Sequence, residues 1–198
     1  MMMAEFVQLR ISLNNIEPEI WRRIIVPGNL NLHELHGLLQ GAMGWENSHL
    51  YDYVVGDKRY ELPERDALAT EGGSLDAREV RLDKTVSVGE SILYRYDFGD
   101  GWTHTVTRER LTRPIPSVFF VGLCLEGANA CPPEDVGGEP GYERHLTDLK
   151  KGKGDAYRNA ISWRGAFDPK LFSPAQATQA MSMFAVMMNL RREGFDWF

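Results

Sequence analysis

The sequence predicts an α+β fold in which a mixed or antiparallel sheet with β-hairpins is packed by helices. Segments of alternating apolar residues, separated by turns with glycine, proline or asparagine, predict the strands. One capped helical segment interrupts them, so the chain opens in the order strand, strand, helix, strand, strand, as in a ubiquitin-like roll. Further helical segments follow the last strands. A likeness at this level predicts architecture and implies no function.

The opening strands are predicted at residues 6–13, 20–26, 49–55 and 58–62, where strand-forming residues dominate and apolar side chains alternate with polar ones. Residues typical of turns separate the two members of each pair, including Gly56 in the second pair. The four segments therefore form two predicted hairpins.

The helix between these hairpins carries signals at both ends. Asn31 is a typical N-cap residue, and Glu34 three positions later completes a capping box. Apolar residues then recur at helical spacing as far as Met43. Gly44 suits the left-handed residue that follows a last helical turn. The helix is therefore predicted over residues 32–43.

A third hairpin, at residues 94–106, has the most unusual sequence of the chain. Its side-chain alternation favours a three-residue loop at 99–101 over the two-residue loop that Asp-Gly alone would indicate. This register pairs Phe98 with Trp102 and puts the large rings of both strands on one face.

The same register predicts which polar residues share a face. His104 lies opposite Tyr96 on the ring-lined face. Asp97 points to the polar face, and Asp100 belongs to the turn. Of the polar residues at the tip, His104 is therefore the one expected to serve a site. The hairpin is otherwise predicted to be a framework on which a loop at residues 122–141 docks.

The rest of the chain is predicted to be loops and helices. Residues 63–83 show little periodicity and are expected to form an exposed loop, and residues 122–141 form a long glycine-rich loop. Helices are predicted at residues 142–149 and 155–163. Ser173-Pro174 is a strong helix start, since an N-cap residue precedes a proline, and this helix is predicted to run to about Arg192.

Composition and charge exclude several classes of protein. A net charge of −6 argues against non-specific binding to nucleic acid over the whole surface. The chain has no run of about 18 apolar residues, so no membrane span is expected. The N-terminus lacks the basic start and apolar core of a signal peptide, which predicts a cytoplasmic protein. In that compartment Cys124 and Cys131 are expected to be free thiols.

Two long motifs are specific enough to indicate a family: the aspartate-glycine hairpin at Tyr96–His104 and the Cys-Pro-Pro-Glu-Asp loop at Cys131–Gly138. The shorter matching segments are Ile20-Trp21-Arg22-Arg23, Leu35-His36, Ala42-Met43-Gly44-Trp45-Glu46, His49-Leu50, Gly141-Tyr142 and Phe167-Asp168-Pro169. Together they resemble the plasmid pRiA4b Orf-3-like family over residues 6–172.

What this resemblance implies is an α+β domain of a kind found on plasmids and near transposase-like genes. The family carries no assigned activity, so it implies no catalytic residues for this chain. It also suggests a division of the chain into an α+β domain at residues 1–172 and a C-terminal helical extension at residues 173–198, packed on or next to that domain.

Six residues near the hairpin and the long loop form a candidate site: His49, Asp97, Asp100, His104, Glu134 and Asp135. Imidazole nitrogens and carboxylate oxygens suit a divalent cation such as Zn²⁺ or Mn²⁺, with His49, Asp97 and His104 as candidate ligands. Their spacing matches no known metal signature. Alternatively, the two loop acids accept hydrogen bonds from their own backbone or pair with Arg22 or Arg23, and this role is favoured for them.

Three further residues complete the candidate site: Trp102, Cys131 and Tyr142. Cys131 and His104 would supply a nucleophile and a base, but a small buried thiol beside a Pro-Pro turn is favoured. Trp102 and its neighbours would form a stacking platform or a peptide groove, although such rings more often belong to a core. Candidate contacts to nucleic-acid phosphates are Lys150, Lys151, Lys153 and Arg158, in a run more often found as a solvated helix end.

These observations leave two hypotheses of different kinds. The first is a non-enzymatic binding or accessory domain of mobile elements, with a groove between the hairpin and the Cys131 loop and a protein or nucleic acid as its partner. The second is a metal-dependent hydrolase acting on phosphodiesters through His49, Asp97, Asp100 and His104. No cofactor is predicted, although the candidate residues would allow a divalent metal ion to bind.

Overall fold

The computed structural model describes residues 6–63, 73–111 and 121–192. Its strands are β1 (Phe6–Leu13), β2 (Ile20–Pro27), β3 (Tyr51–Val55), β4 (Lys58–Glu61), β5 (Leu75–Asp76), β6 (Ser91–Tyr96), β7 (Trp102–Glu109) and β8 (Leu123–Ala128). Its helices are α1 (Leu32–Met43), α2 (Leu82–Thr85), α3 (Gly138–Lys150), α4 (Gly154–Arg164) and α5 (Pro174–Arg192). The strands form one mixed sheet in the order β5-β4-β3-β6-β7-β1-β2-β8, antiparallel apart from the β4–β5 pair. The predicted α+β class is confirmed.

Helix α1 begins and ends where its capping residues predict. The side-chain oxygen of Asn31 accepts from the backbone N–H of Glu34 at 2.8 Å, and the Glu34 carboxylate accepts from the Asn31 N–H at 2.9 Å. Gly44 follows the last turn with φ 98°, a left-handed conformation that glycine adopts without strain. The contacts at both ends join residues that are close together in the chain, which is why the sequence alone predicts where the helix begins and ends.

The core lies between one face of the sheet and helices α1 and α5. β1 contributes Leu9 and Ile11, and α5 contributes Met181, all fully buried. The two helices cross closely at Gly41, where a Cβ atom would lie 2.6 Å from the backbone nitrogen of Met181. Among the described helices none is both long and apolar enough to cross a membrane.

Helix α5 thus shares the core with the sheet. The division of the chain at residues 172 and 173 stays a prediction, and residues 193–198 of the predicted extension lie outside the described ranges.

The predicted register of the third hairpin is wrong by two residues. Tyr96 pairs with Trp102, and Tyr94 pairs with His104. The turn therefore spans residues 97–101 instead of 99–101. Because the shift is an even number, the rings of the two strands still share one buried face, as predicted. Phe98, which was expected to lie on that face, is 47 % exposed in the turn.

Asp97 is the reason why the turn begins two residues before its predicted start. It has φ 54°, a left-handed conformation that aspartate tolerates better than most residues. Its Oδ1 accepts hydrogen bonds from the backbone N–H groups of Gly99, at 3.0 Å, and Asp100, at 3.2 Å. Asp97 therefore closes the turn and does not continue the strand opposite Thr103, as the predicted register required.

Both predicted loops contain regular structure. In the described part of 63–83, β5 pairs with β4, and Ala77 and Leu82 are fully buried, so an exposed loop is wrong for residues 73–83. Residues 64–72 of that loop lie outside the described ranges. The segment 122–141 begins with β8, which pairs with β2 at the edge of the sheet.

Candidate functional site

The tip of the third hairpin is docked on the loop that precedes α3. The Asp100 carboxylate accepts from the backbone N–H of Gly137 at 3.1 Å. A Cβ atom at Gly138 would lie 2.5 Å from the carbonyl oxygen of Asp100, so only glycine permits this approach. The contact brings acids of the hairpin and of the loop into one cluster.

His49 lies at the centre of that cluster. Its Nε2 atom is 3.0 Å from Oδ1 of Asp135, 3.6 Å from Oδ2 of Asp97 and 3.9 Å from Oε2 of Glu134. Asp97 and Glu134 are buried, with side chains 8 % and 4 % exposed, whereas the side chain of Asp135 is 61 % exposed. The cluster is therefore closed on the protein side and open at Asp135.

The two buried acids are each held by one carboxylate oxygen and present the other to His49. Glu134 Oε1 accepts from the backbone N–H of Glu46 and from the Tyr96 hydroxyl, both at 2.9 Å. Its Oε2 is buried and has no hydrogen-bond partner among the described residues. Asp97 uses Oδ1 for its own turn and leaves Oδ2 facing His49.

The backbone of the site is unusual at three non-glycine residues. Asn47, Asp97 and Asp135 have φ values of 59°, 54° and 58°. Asparagine and aspartate tolerate this left-handed region at a small cost, and such residues concentrate at functional sites. Two of the three carry the carboxylates that face His49.

Arg164, at the end of α4, lies beside the loop acids. Its Nη2 donates to the carbonyl oxygen of Glu134 at 2.8 Å and lies 3.5 Å from Oδ2 of Asp135. Sequence reasoning misses its role, because Arg164 is 30 residues from Glu134 in the chain and no motif connects them. Arg164 contacts the backbone of Glu134 and makes no hydrogen bond to Oε2 of the Glu134 side chain.

The two loop acids pair with neither Arg22 nor Arg23. Arg22 is buried and donates to the carbonyl oxygens of Ala42 and Ala128, both at 2.9 Å. Arg23 pairs with Glu109 on the polar face of the sheet. The predicted pairing is therefore wrong, because carbonyl groups at the end of α1 and on β8 satisfy the inward-facing arginine.

The spacing of the ligand atoms fits a single cation. One ligand atom each from His49, Asp97 and Asp135 lies within 4.8 Å of the other two. Zn²⁺ stands about 2.0–2.2 Å from nitrogen and oxygen ligands, so tetrahedral ligands stand about 3.4 Å apart. Imidazole and carboxylate groups suit Zn²⁺ or Mn²⁺. Glu134 lies outside this group of three, with its Oε2 3.9 Å from Nε2 of His49, so it would become a fourth ligand only after its side chain moved closer.

His104 and Asp100 have structural roles that differ from those of the other candidate ligands. His104 is fully buried between strands, where Nδ1 is 3.3 Å from the carbonyl oxygen of Tyr94. Burial lowers the pKa of His104 to about 3, so the ring is neutral. Asp100 docks the loop through Gly137. The error in the predicted register explains why His104 was preferred to Asp97 as a site residue. It placed His104 closer to the tip and turned Asp97 to the opposite face.

The other candidate residues have structural surroundings of their own. Trp102 is 3 % exposed and packs near Trp45, with ring centroids 6.3 Å apart. Burial raises the pKa of the Cys131 thiol well above its usual range, which disfavours a nucleophilic thiolate. Tyr142 is buried on α3 and its ring contacts Phe167.

The predicted phosphate contacts are exposed and lie at the end of α3, in the segment after it, and along α4. These residues are Lys150, Lys151, Lys153 and Arg158. Lys151 pairs with Asp148, and Arg158 pairs with Asp155. The pairing reduces the positive charge that this surface would present to nucleic acid.

Comparisons with known proteins agree on the family. A family model described as plasmid pRiA4b ORF-3-like protein matches residues 5–176. The chain is 38% identical over 170 residues to uncharacterized protein y4hQ of Sinorhizobium fredii (strain NBRC 101917 / NGR234), covering 84% of each chain.

A solved structure has the same fold. It is the crystal structure of protein MM3350, of unknown function, from Methanosarcina mazei Go1, which is similar with a TM-score of 0.77 and 30% identity. The match covers 88% of this chain and 98% of that one. None of these descriptions states an activity. The chain belongs to the plasmid pRiA4b ORF-3-like family, a family of unknown function.

Proposed function

We propose that the protein is a binding domain that holds one divalent cation between His49, Asp97, Glu134 and Asp135. One observation carries the proposal: Oε2 of Glu134 is buried, has no hydrogen-bond partner among the described residues, and faces Nε2 of His49 at 3.9 Å. A buried polar atom without a partner costs about 1–3 kcal/mol, and more when the group is charged. A cation at this point would satisfy it.

A cation explains the geometry better than an ion pair with a protonated histidine. The Nε2 atom of an imidazolium ring carries a single N–H, which donates well in one direction. Three carboxylate oxygens, one from the hairpin and two from the loop before α3, lie 3.6 Å, 3.9 Å and 3.0 Å from Nε2 of His49. A metal ion accepts all of these ligands at once, so it accounts for the convergence of all three.

The bound cation would connect three segments that are far apart in sequence. His49 precedes β3, Asp97 closes the third hairpin, and the last two ligands lie in the loop before α3. Metal binding would therefore stabilise the docked loop, by about 2.7 kcal/mol at a cation concentration a hundred times the Kd. The role is that of a binding or accessory domain, and an association with mobile DNA remains part of this proposal.

The hydrolase hypothesis has weaker support. Of its four residues, His49 and Asp97 face one another, whereas His104 is buried among the rings of the core and Asp100 bonds to the backbone of Gly137. The geometry therefore supports a cation site and does not supply the predicted catalytic group of His104.

The experiment is titration of the purified protein, freed of metal by a chelator, with Mn²⁺ and with Zn²⁺ by calorimetry. We expect one equivalent to bind, and Glu134→Gln to weaken binding by about a hundredfold, since loss of even an outer partner costs 10–100-fold. The amide keeps an oxygen for Glu46 and Tyr96, so the fold should survive. Glu143→Gln, on the exposed side of α3, is the matched control. Equal binding by both variants would contradict the proposal.

A further inference from the structure

A separate cleft opens between α3 and the turn that joins β1 to β2. Its volume is about 380 Å³, within the range of small-molecule sites. Its lining residues include Pro18, Tyr142, Leu146, Leu149, Lys150 and Phe167. Most are apolar, and two are residues that the sequence singles out and the cation site does not use, Tyr142 and Lys150.

The walls of the cleft come from an apolar stripe of α3. Tyr142, Leu146 and Leu149 recur at helical spacing and so share one side of the helix. Leu146 and Leu149 are partly exposed and line the cleft. Pro18 and Phe167 add further apolar surface to the lining. An apolar group of moderate size would therefore be buried from water in the cleft.

The rim of the cleft is charged. Lys150 and Lys170 both line it, both are exposed, and neither forms an ion pair with a described residue. Glu17 lies on the same rim and is also exposed, which leaves one net positive charge. Two flexible ammonium groups beside an apolar wall favour an anionic group with an apolar body.

Tyr142 is one of the residues that line the cleft. The residue is 4% exposed, and its hydroxyl makes no hydrogen bond with the described part of the chain. Burial raises the pKa of Tyr142 to about 12, so the hydroxyl keeps its proton and can donate.

We propose that this cleft binds a carboxylate with an apolar body, such as a medium-chain fatty acid. The chain lies along Leu146, Leu149 and Phe167, and the carboxylate meets Lys150 and Lys170 at the rim. The site is independent of the cation site, since the two share no residue.

The test uses three probes with the same ten-carbon chain: decanoate, decan-1-ol and decyltrimethylammonium. Binding to the metal-free protein is measured by calorimetry and by amide chemical shifts. We expect saturable binding of decanoate, with shifts confined to α3, the β1–β2 turn and residues 167–170, and at least about tenfold weaker binding of the other two probes.

Variants show whether the rim carries the preference. Lys150→Ala with Lys170→Ala should weaken decanoate binding about tenfold and leave that of decan-1-ol unchanged. Lys153→Ala, an exposed lysine outside the cleft, is the control and should change nothing. All these positions are on the surface, so folding should not be affected. Equal binding of the three probes, no saturable binding of decanoate, or shifts elsewhere in the chain would overturn the proposal.

Discussion

Replacement of Gly138 by alanine tests whether the docked loop assembles the cation site. Gly138 has φ 65°, and a Cβ atom there would lie 2.5 Å from the carbonyl oxygen of Asp100. That contact is with backbone, so it can be relieved only if the hairpin tip and the loop move apart. Movement there would separate Asp97 from the two loop acids.

The expected loss of stability has two parts. A left-handed conformation costs a non-glycine residue about 1–2 kcal/mol, and overpacking costs about 1–3 kcal/mol more. Gly152 provides a matched control, because it has nearly the same φ, 64°, and no atom of the described residues lies within 4 Å of an added Cβ. Gly152→Ala should therefore show only the conformational cost, and Gly138→Ala should cost about 1–3 kcal/mol more.

Urea unfolding of both variants, with metal removed, measures the two losses of stability. Calorimetry then measures the affinity of each folded variant for Mn²⁺. We expect Gly138→Ala to lose most of the cation affinity and Gly152→Ala to keep it. If the two variants were equally stable and bound the cation equally well, the contact at Asp100 would not assemble the site.

Three further predictions concern the core. Gly41→Ala should destabilise the protein by about 1–3 kcal/mol in urea unfolding, because the added Cβ would meet the backbone of Met181 at 2.6 Å. The pKa of His104 is lowered to about 3 by burial, so below pH 6.5 the unfolded chain gains a proton first, and stability should fall by up to about 1.4 kcal/mol per pH unit. His104→Leu should remove this contribution, so the free energy of unfolding of the variant should fall less between pH 7 and pH 5 than that of the wild type. Burial raises the pKa of Cys124 to about 11 and that of Cys131 well above its usual range, so neither thiol of the folded protein should react quickly with a disulfide reagent at pH 7.5, whereas both should react in urea. Fast reaction of a native thiol would show that it is exposed or activated.

Sequence predicts the parts of this fold that depend on local interactions. The capping box at Asn31 and the glycine at the end of α1 involve neighbours in the chain, so their residue types are sufficient. The hairpin register is different, because alternation with a period of two residues cannot detect a shift of two residues. The side-chain hydrogen bonds of Asp97 determine the turn, and they have no such periodicity.

Strand β8 is missed for a related reason. Its sequence contains Gly127, which weakens strand propensity. In the structure a Cβ at that position would lie 2.5 Å from the carbonyl oxygen of Trp21, so the glycine permits close pairing with β2. That requirement comes from a residue more than a hundred positions away.

The candidate site is predicted in composition but not in arrangement. His49, Asp97, Glu134 and Asp135 can all be nominated from residue type and motif. Their convergence depends on the contact between the hairpin tip and the loop before α3, which sequence spacing does not reveal. The wrong register also makes His104 look more suitable than Asp97, because it turns Asp97 to the opposite face.

The most direct test of the cation site is anomalous diffraction from crystals of the protein grown with Mn²⁺ or Zn²⁺. We predict a single strong anomalous peak about 2.0–2.3 Å from Nε2 of His49 and from carboxylate oxygens of Asp97, Glu134 and Asp135. Crystals of the Glu134→Gln variant, grown in the same way, should lose that peak while the loop stays docked. A wild-type map without a peak at His49, or a peak that persists in the variant with the same ligands, would contradict the account.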